Sequence, residues 1–362
     1  MRSAWQHRLF WPLVTLALLL AVNAVFNASF LTLQWRDGHL YGSLVDILKG
    51  AAPLVLVSLG MTLVIATRGI DISVGAVVAI SAAVAAWMIG GSLVVVDGVA
   101  THVSRYPMWA AIAAAIGVAL LCGAWNGMLV AVVGMQPIIA TLILMVAGRG
   151  VAQLLTNGQI ITIYYAPYFF IGNGYLFGLP FAFWIAMGVF GVLLLLTRRT
   201  ALGLFIQSVG INPSAARLAG LPARSITFWV YAFAGVCAGV AGLVVSSTVK
   251  SADGNNAGQL LELDAILAVT LGGTALTGGR FTLAGSVIGA LIIQCLTYAI
   301  YSLGVPPEVN LVVKAAVVFA VMLLQSPEFR RAMAGWCGGR SRPPGAARHE
   351  RAPRSRRRTG AG

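Results

Sequence analysis

The chain has 362 residues, of which 59% are hydrophobic and 9% charged, against roughly 25% charged in an ordinary soluble protein. That deficit excludes a soluble globular enzyme and places the chain in the membrane class, as does a mean hydropathy of +0.89. The net charge of +14 does not mark a nucleic-acid binder, because residues 328–362 hold ten Arg and two Glu and leave only +6 for everything before them.

A bilayer crossing takes about 20 predominantly apolar residues. Seven stretches lack Asp, Glu, Lys and Arg altogether: 9–35, 50–67, 72–96, 106–148, 150–197, 225–249 and 281–307. The first follows Arg8 and is long for a signal-peptide core, so it is expected to stay as a span. The fourth breaks at Gly134-Met135-Gln136-Pro137, where proline removes a backbone donor and disfavours helix before it. The fifth breaks over Asn157–Pro180, where Asn, Gly, Pro and Tyr cluster as in a surface loop. Further spans near 263–278 and 310–326 bring the expectation to an all-α, polytopic membrane protein of about ten transmembrane helices.

An even number of spans puts both termini on one side, and short cytoplasmic loops collect Lys and Arg. With both termini cytoplasmic, the inner segments hold Arg2, Arg8, Arg68, Arg198, Arg199, Arg217, Arg224 and Arg280 against Asp71 alone. The outer segments hold Arg36, Lys49, Arg105 and Lys250 together with Asp37, Asp46, Asp97, Asp253, Glu262, Asp264 and Glu308. Residues 1–327 form the membrane domain on this reading, with their longest inner loop at 200–226. Residues 328–362 read as a disordered, Arg-rich cytoplasmic tail that touches anionic lipid.

Deep polar residues are expensive in a bilayer and are functional candidates by default. Asp71 follows Gly69 at a helix break and suits either the capping of the next span through Ser73 or a place on a pathway. Arg149 is the one basic residue in a long uncharged stretch, a donor to hydroxyls or a partner for Asp71 or Glu262. Glu262 and Asp264 sit two apart at the outer start of a span, where they shape a vestibule, offer a docking surface or complement a helix start. Asn126, Gln136, Gln153, Asn255 and Asn256 are amides of the kind that read hydroxyls, and also of the kind that link membrane helices.

In the inner loop, Asn212 is placed to cap a short helix that begins at Pro213 and ends at Gly220. Between them Ser214, Ala215, Ala216 and Arg217 keep the surface small, so that a partner can approach the backbone. Several constellations are missing. Gly273 to Arg280 imitates a phosphate loop, but Gly279-Arg280 stands where Lys and Ser or Thr are needed. The four histidines are far apart, and Cys122, Cys237, Cys295 and Cys337 form no Cys-x-x-Cys pair, so neither a metal site nor a disulfide framework is expected.

The segment Ser214-Ala215-Ala216-x-x-x-Gly220 resembles the coupling motif of ATP-binding cassette importer permeases, with serine in place of the usual glutamate. Gly69-Ile70-Asp71-Ile72-Ser73-Val74-Gly75 resembles a signature of the ribose-type sugar permeases. Leu261-Glu262-Leu263-Asp264 followed by Gly272-Gly273-Thr274 and Gly278-Gly279-Arg280 resembles a second. The likeness covers about residues 45–327 and extends to the galactofuranose-transporting members through Thr141–Leu154 and Ala252–Gly258. Arg68, where that family usually has glycine, and the Arg-rich tail depart from it.

The resemblance implies a non-enzymatic permease subunit of the bacterial inner membrane that imports a monosaccharide, galactofuranose in the first place, with ribose or another monosaccharide as alternative. It implies a cytoplasmic ATPase carrying ATP and magnesium, a second permease subunit, identical or related, and a periplasmic sugar-binding protein; the chain itself needs no cofactor. A stand-alone secondary transporter is the alternative from another class.

Overall fold

The computed structural model describes residues 9–325 apart from 28, 37, 91, 97, 98, 303 and 305. The Arg-rich tail, Cys337 and the first eight residues lie outside the described residues. A single compact unit runs through Val318, and the stretch Phe319–Gln325 is helical.

The helices are α1 Phe10–Phe26, α2 Ser43–Ala66, α3 Val74–Ile89, α4 Met108–Met128, α5 Pro137–Leu155, α6 Ala166–Asn173 and α7 Phe181–Arg199. They continue with α8 Leu202–Ile211, α9 Pro213–Leu218, α10 Ala223–Val249, α11 Leu261–Leu271, α12 Leu283–Ser302 and α13 Pro307–Gln325. Helices α2, α5, α7, α10 and α12, and α4 extended by a π-helical turn at Leu129–Val133, are long and apolar enough to cross a membrane. Every predicted span coincides with a helix, but not every one is a full crossing.

Two differences have local causes. The span expected at 263–278 is the eleven-residue α11, about 16 Å at 1.5 Å per residue, roughly half of a 30 Å hydrocarbon core. It stops at Gly272–Gly273, where Gly273 takes φ +84 and α12 packs so close that a Cβ on Gly272 would strike the backbone of Gly285. The run 72–96 is helical only to Ile89. Beyond Gly90 its β-branched residues form β3 (Ser92–Val96), which pairs antiparallel with β4 (Val99–Val103).

Three smaller pairings lie at the same end of the molecule: β1 (Gln34–Arg36) with β2 (His39–Tyr41), β5 (Ile161–Thr162) with β8 (Ser251–Ala252), and β6 (Tyr175–Leu176) with β7 (Leu179–Pro180). Aromatic rings gather there, with His39 stacked on Tyr175 at 3.9 Å and His102 on Tyr164 at 4.4 Å. The Arg105 guanidinium lies 5.4 Å from the Trp87 ring centre. Amphipathic rings of this kind suit the level of lipid headgroups.

The core is built from small residues. On α4, Ala111, Ala115, Ala119, Gly123 and Gly127 recur every fourth position, and all are buried. They face Gly235 and Gly239 of α10, where a Cβ on Gly235 would strike the Ala119 carbonyl and one on Gly239 the Ala119 side chain. In lipid, where apolar side chains gain nothing by leaving their surroundings, such close backbone approach is what holds helices together. Cys237 and Cys295 are buried free thiols that pack as small residues, and the Cys295 sulfur also accepts from the Asn23 amide at 3.6 Å.

Candidate functional site

The loop joining α7 to α10 folds as its local chemistry dictates. Asn212 caps α9: its side-chain oxygen accepts from the amides of Ser214 and Ala215, both at 3.0 Å. Pro213 occupies the first helical position, where its missing N–H costs nothing. At the other end Gly220 takes φ +82. Its amide donates to the Arg217 carbonyl and that of Leu221 to the Ala216 carbonyl, both at 3.0 Å, the paired bonds of a Schellman ending. Only Ala216 of α9 is buried. Leu218 is 91% exposed, and the Arg217 guanidinium donates to the Ser214 hydroxyl at 3.2 Å.

Helix α8, which leads into α9, is wedged into the body of the protein. Gly210 lies so close to the Ala66 carbonyl, the last of α2, that any Cβ would strike it and the backbone of Gly279. The Gly279 amide donates to that same carbonyl at 2.9 Å. Arg68, two residues beyond α2, extends its Nε to the Thr277 carbonyl at 3.2 Å. Three backbones thus meet with no side chain between them: the end of α2, the turn between α11 and α12, and the end of α8. The phosphate-loop imitation at 273–280 is this turn.

The polar candidates do not form one site. Asp71 and Asn126 are buried together. One carboxylate oxygen of Asp71 accepts from the Ser73 amide at 2.9 Å and the Ser73 hydroxyl at 2.6 Å, and the Asn126 amide donates to the Ser73 hydroxyl at 2.8 Å. This is an Asx turn leading into α3, whose N-cap is Ser73 and whose first amides take no side-chain cap. Thr141 joins from α5, its hydroxyl accepting from the Ile72 amide at 3.2 Å. The Asn126 carbonyl and the Tyr231 hydroxyl are buried without a hydrogen-bond partner among the described residues, and Tyr231 lies directly over Gly69.

Farther along α5, beside the Gly148 that packs on Ala76 and Ile80 of α3, Arg149 makes no ion pair with Asp71 or Glu262. Its Nη1 donates to the carbonyls of Ala257 at 2.5 Å and Asn255 at 3.3 Å, which ties the segment between α10 and α11 onto α5. Gln153 reinforces that tie by donating to the Asn255 side chain at 2.5 Å, and Asn256 donates to Asp253 at 2.6 Å. Although desolvation works in the other direction, the amide and side-chain donors of Asn255 and Asn256, with Arg149 nearby, hold the Asp253 carboxyl below the usual carboxylate range. Glu262 is buried against Gly75 and Gly258, where no Cβ would fit, and its Oε2 has no partner among the described residues.

Asp264 stands apart, paired with Lys314 of α13 at 2.5 Å; the acid partner that a deep Lys314 requires is two residues from Glu262. Gln136 is the exposed N-cap of α5. Sequence reasoning missed Tyr231, Thr141 and the contact of Gly210 with Ala66. Only the Gly278-Gly279 pair gave any local sign of so close an approach.

The chain matches the family model described as branched-chain amino acid transport system / permease component over residues 43–322. It is 48% identical to the galactofuranose transporter permease protein of Escherichia coli (strain K12) over 90% of this chain and 93% of that one. It is 39% identical to the fructose import permease protein of Bifidobacterium longum over 89% of each. It is 34% identical to the ribose import permease protein of Escherichia coli (strain K12) over 87% of this chain and 92% of that one. No solved structure matches at a significant level. Capped loop, small-residue helix packing and matches along nearly the whole chain agree: the protein belongs to this family of transport-system permease components.

Proposed function

We propose that the chain is the transmembrane subunit of an ATP-binding cassette importer of the bacterial inner membrane and that its cargo is a monosaccharide, galactofuranose before fructose or ribose. The observation that carries this reading is the 48% identity, along 90% of the chain, with a galactofuranose transporter permease. The fructose and ribose relatives support the monosaccharide class.

The end that bears α8 and α9 is cytoplasmic. Arg68, Arg198, Arg199, Arg217, Arg224 and Arg280 belong to that end against Asp71 alone, the charge bias of a cytoplasmic face. With α11 making only part of one pass and the irregular segments on either side of it completing that pass, ten passes leave both termini in the cytoplasm. ATP and magnesium belong to a separate ATPase, a second permease subunit completes the pathway, and a periplasmic binding protein delivers the sugar outside.

Helix α9 is the contact with the ATPase. Asn212, Pro213, Ser214, Ala215, Arg217 and Gly220 shape its exposed surface, and Ala216 seats it on the body of the protein. Because Ser214 replaces a glutamate, the Arg217 guanidinium is held by a hydroxyl alone and is free to meet an acid on the partner. When the ATPase closes, α8 moves with α9, and the contact of Gly210 with Ala66 and Gly279 passes the displacement to the breaks at 67–73 and 272–282. Arg149, Gln153, Asn255 and Asn256 face the outer side, Glu262 lies deeper against Gly75 at the start of α3, and Asp71 with Asn126 sets the break at the inner side. Asp264 bolts α11 to α13, and Gln136 stands at the inner start of α5. A stand-alone secondary transporter would give the capped, surface-borne α9 no role.

The test is ATPase stimulation in the reconstituted complex. Leu218→Glu on the exposed face of α9 is expected to abolish stimulation by loaded binding protein and to leave membrane insertion unchanged. Undiminished stimulation would remove α9 from the contact.

A further inference from the structure

An apolar cleft of about 340 Å³ opens on the flank of the protein between α7, α8 and α10. Its walls are Leu193 and Leu196 of α7, Leu202 and Ile206 of α8, and Trp229 and Phe233 of α10. The buried Leu63 and Val230 close its floor. The volume falls in the range of small-molecule sites. Two hydroxyls line it, Ser225 and Thr197, of which Thr197 donates to the Leu193 carbonyl at 2.7 Å, so the cleft offers a ligand mainly apolar contact.

The mouth is different. Arg198 and Arg199 directly follow the lining Thr197, and Arg224 directly precedes the lining Ser225. All three are exposed and have no hydrogen bond or ion pair among the described residues. The single acid at this end, Asp71, is buried and held by Ser73. Helix α10 begins here without a side-chain cap and with no acid in its first turn, so its free amides also favour an anion. A greasy cleft in the side of a membrane protein, beneath unpaired guanidinium groups and an uncapped helix start, has the charge and shape of a phospholipid with a negative headgroup.

We propose that this cleft binds one anionic glycerophospholipid, with an acyl chain along Leu196, Ile206 and Trp229 and the phosphate at Arg198, Arg199 and Arg224. Because α8 forms one wall and runs directly into α9, the bound lipid braces the helix through which the ATPase acts. The site rests on the membrane placement of α7 and α10, and it stands whichever sugar is carried.

The experiment places the full-length chain in nanodiscs of phosphatidylcholine containing a minor fraction of phosphatidylglycerol and reads retained lipid by native mass spectrometry. One phosphatidylglycerol per chain is expected to survive delipidation that strips phosphatidylcholine. The triple variant Arg198→Gln, Arg199→Gln, Arg224→Gln should lower that retention about a hundredfold, through loss of three cations facing the headgroup. The cleft-filling Leu202→Trp should lower it with the charge intact, and Arg280→Gln, away from the cleft, should not. Equal retention of the two lipids, or an unaffected triple variant, would reduce the cleft to ordinary lipid contact. A loss of dimer mass in Leu202→Trp with lipid retention unchanged would assign the cleft to a second copy of the chain and overturn the proposal.

Discussion

Arg68 holds its backbone at φ 66, a conformation that costs an ordinary side chain about 1–2 kcal/mol and costs glycine almost nothing. The glycine usual at this point in the resembling family is thereby explained. What Arg68 gains in return is one exposed hydrogen bond to Thr277, worth about 0.5–1.5 kcal/mol. Arg68→Gly is therefore predicted to be at least as stable as the native chain in thermal melts, and Arg68→Ala about 1 kcal/mol less stable than Arg68→Gly; the reverse order would refute the strain. Gly220 has open space where a Cβ would go but φ +82, so Gly220→Asn is predicted to keep sugar uptake and Gly220→Val to lose it. Asp253 titrates outside the spans with a lowered pKa. A depressed carboxylate contributes stability above its unfolded pKa of about 3.9 and loses it as the pH falls through the folded value. Asp253→Asn should flatten the acid limb of a melting-temperature profile and leave its slope above pH 6 unchanged.

Among the elements, those whose signals are local were readable. The cap at Asn212, the stop at Gly220 and the break before Pro137 involve residues within a few positions of each other, and the structure forms each of them. Arg149 was not readable in the same way, because its carbonyl partners are 106 and 108 residues away. The shortness of α11 also escaped, since Ala275, Leu276 and the neighbouring glycines keep the segment uncharged after the helix has ended. The tight packing of α4 on α10 makes its own prediction. Ala119→Leu would force the two backbones apart and should cost about 1–3 kcal/mol in overpacking, read as reduced thermal stability in detergent. Gly210→Ala should act otherwise, because it disturbs a joint between elements rather than the core. It is predicted to leave the chain inserted and to weaken the link between ATP hydrolysis and uptake; tightly coupled transport by Gly210→Ala would show that α8 transmits nothing through this contact.

Across the whole molecule, the scarcity of charge was the most informative property, because each of the few charged residues had to be placed. The polar candidates divide between the buried Asp71 cluster, the Arg149 tie and the Asp264–Lys314 pair, a grouping that no spacing in the chain displays. No spacing in the chain distinguishes one hexose or pentose from another, so the sugar rests on relatedness. The most direct measurement reconstitutes the full-length chain in proteoliposomes with its ATPase and binding protein and follows labelled galactofuranose. Uptake is predicted to require ATP and both partners and to be outcompeted poorly by ribose. Uptake by the chain alone, without the ATPase, would contradict the account.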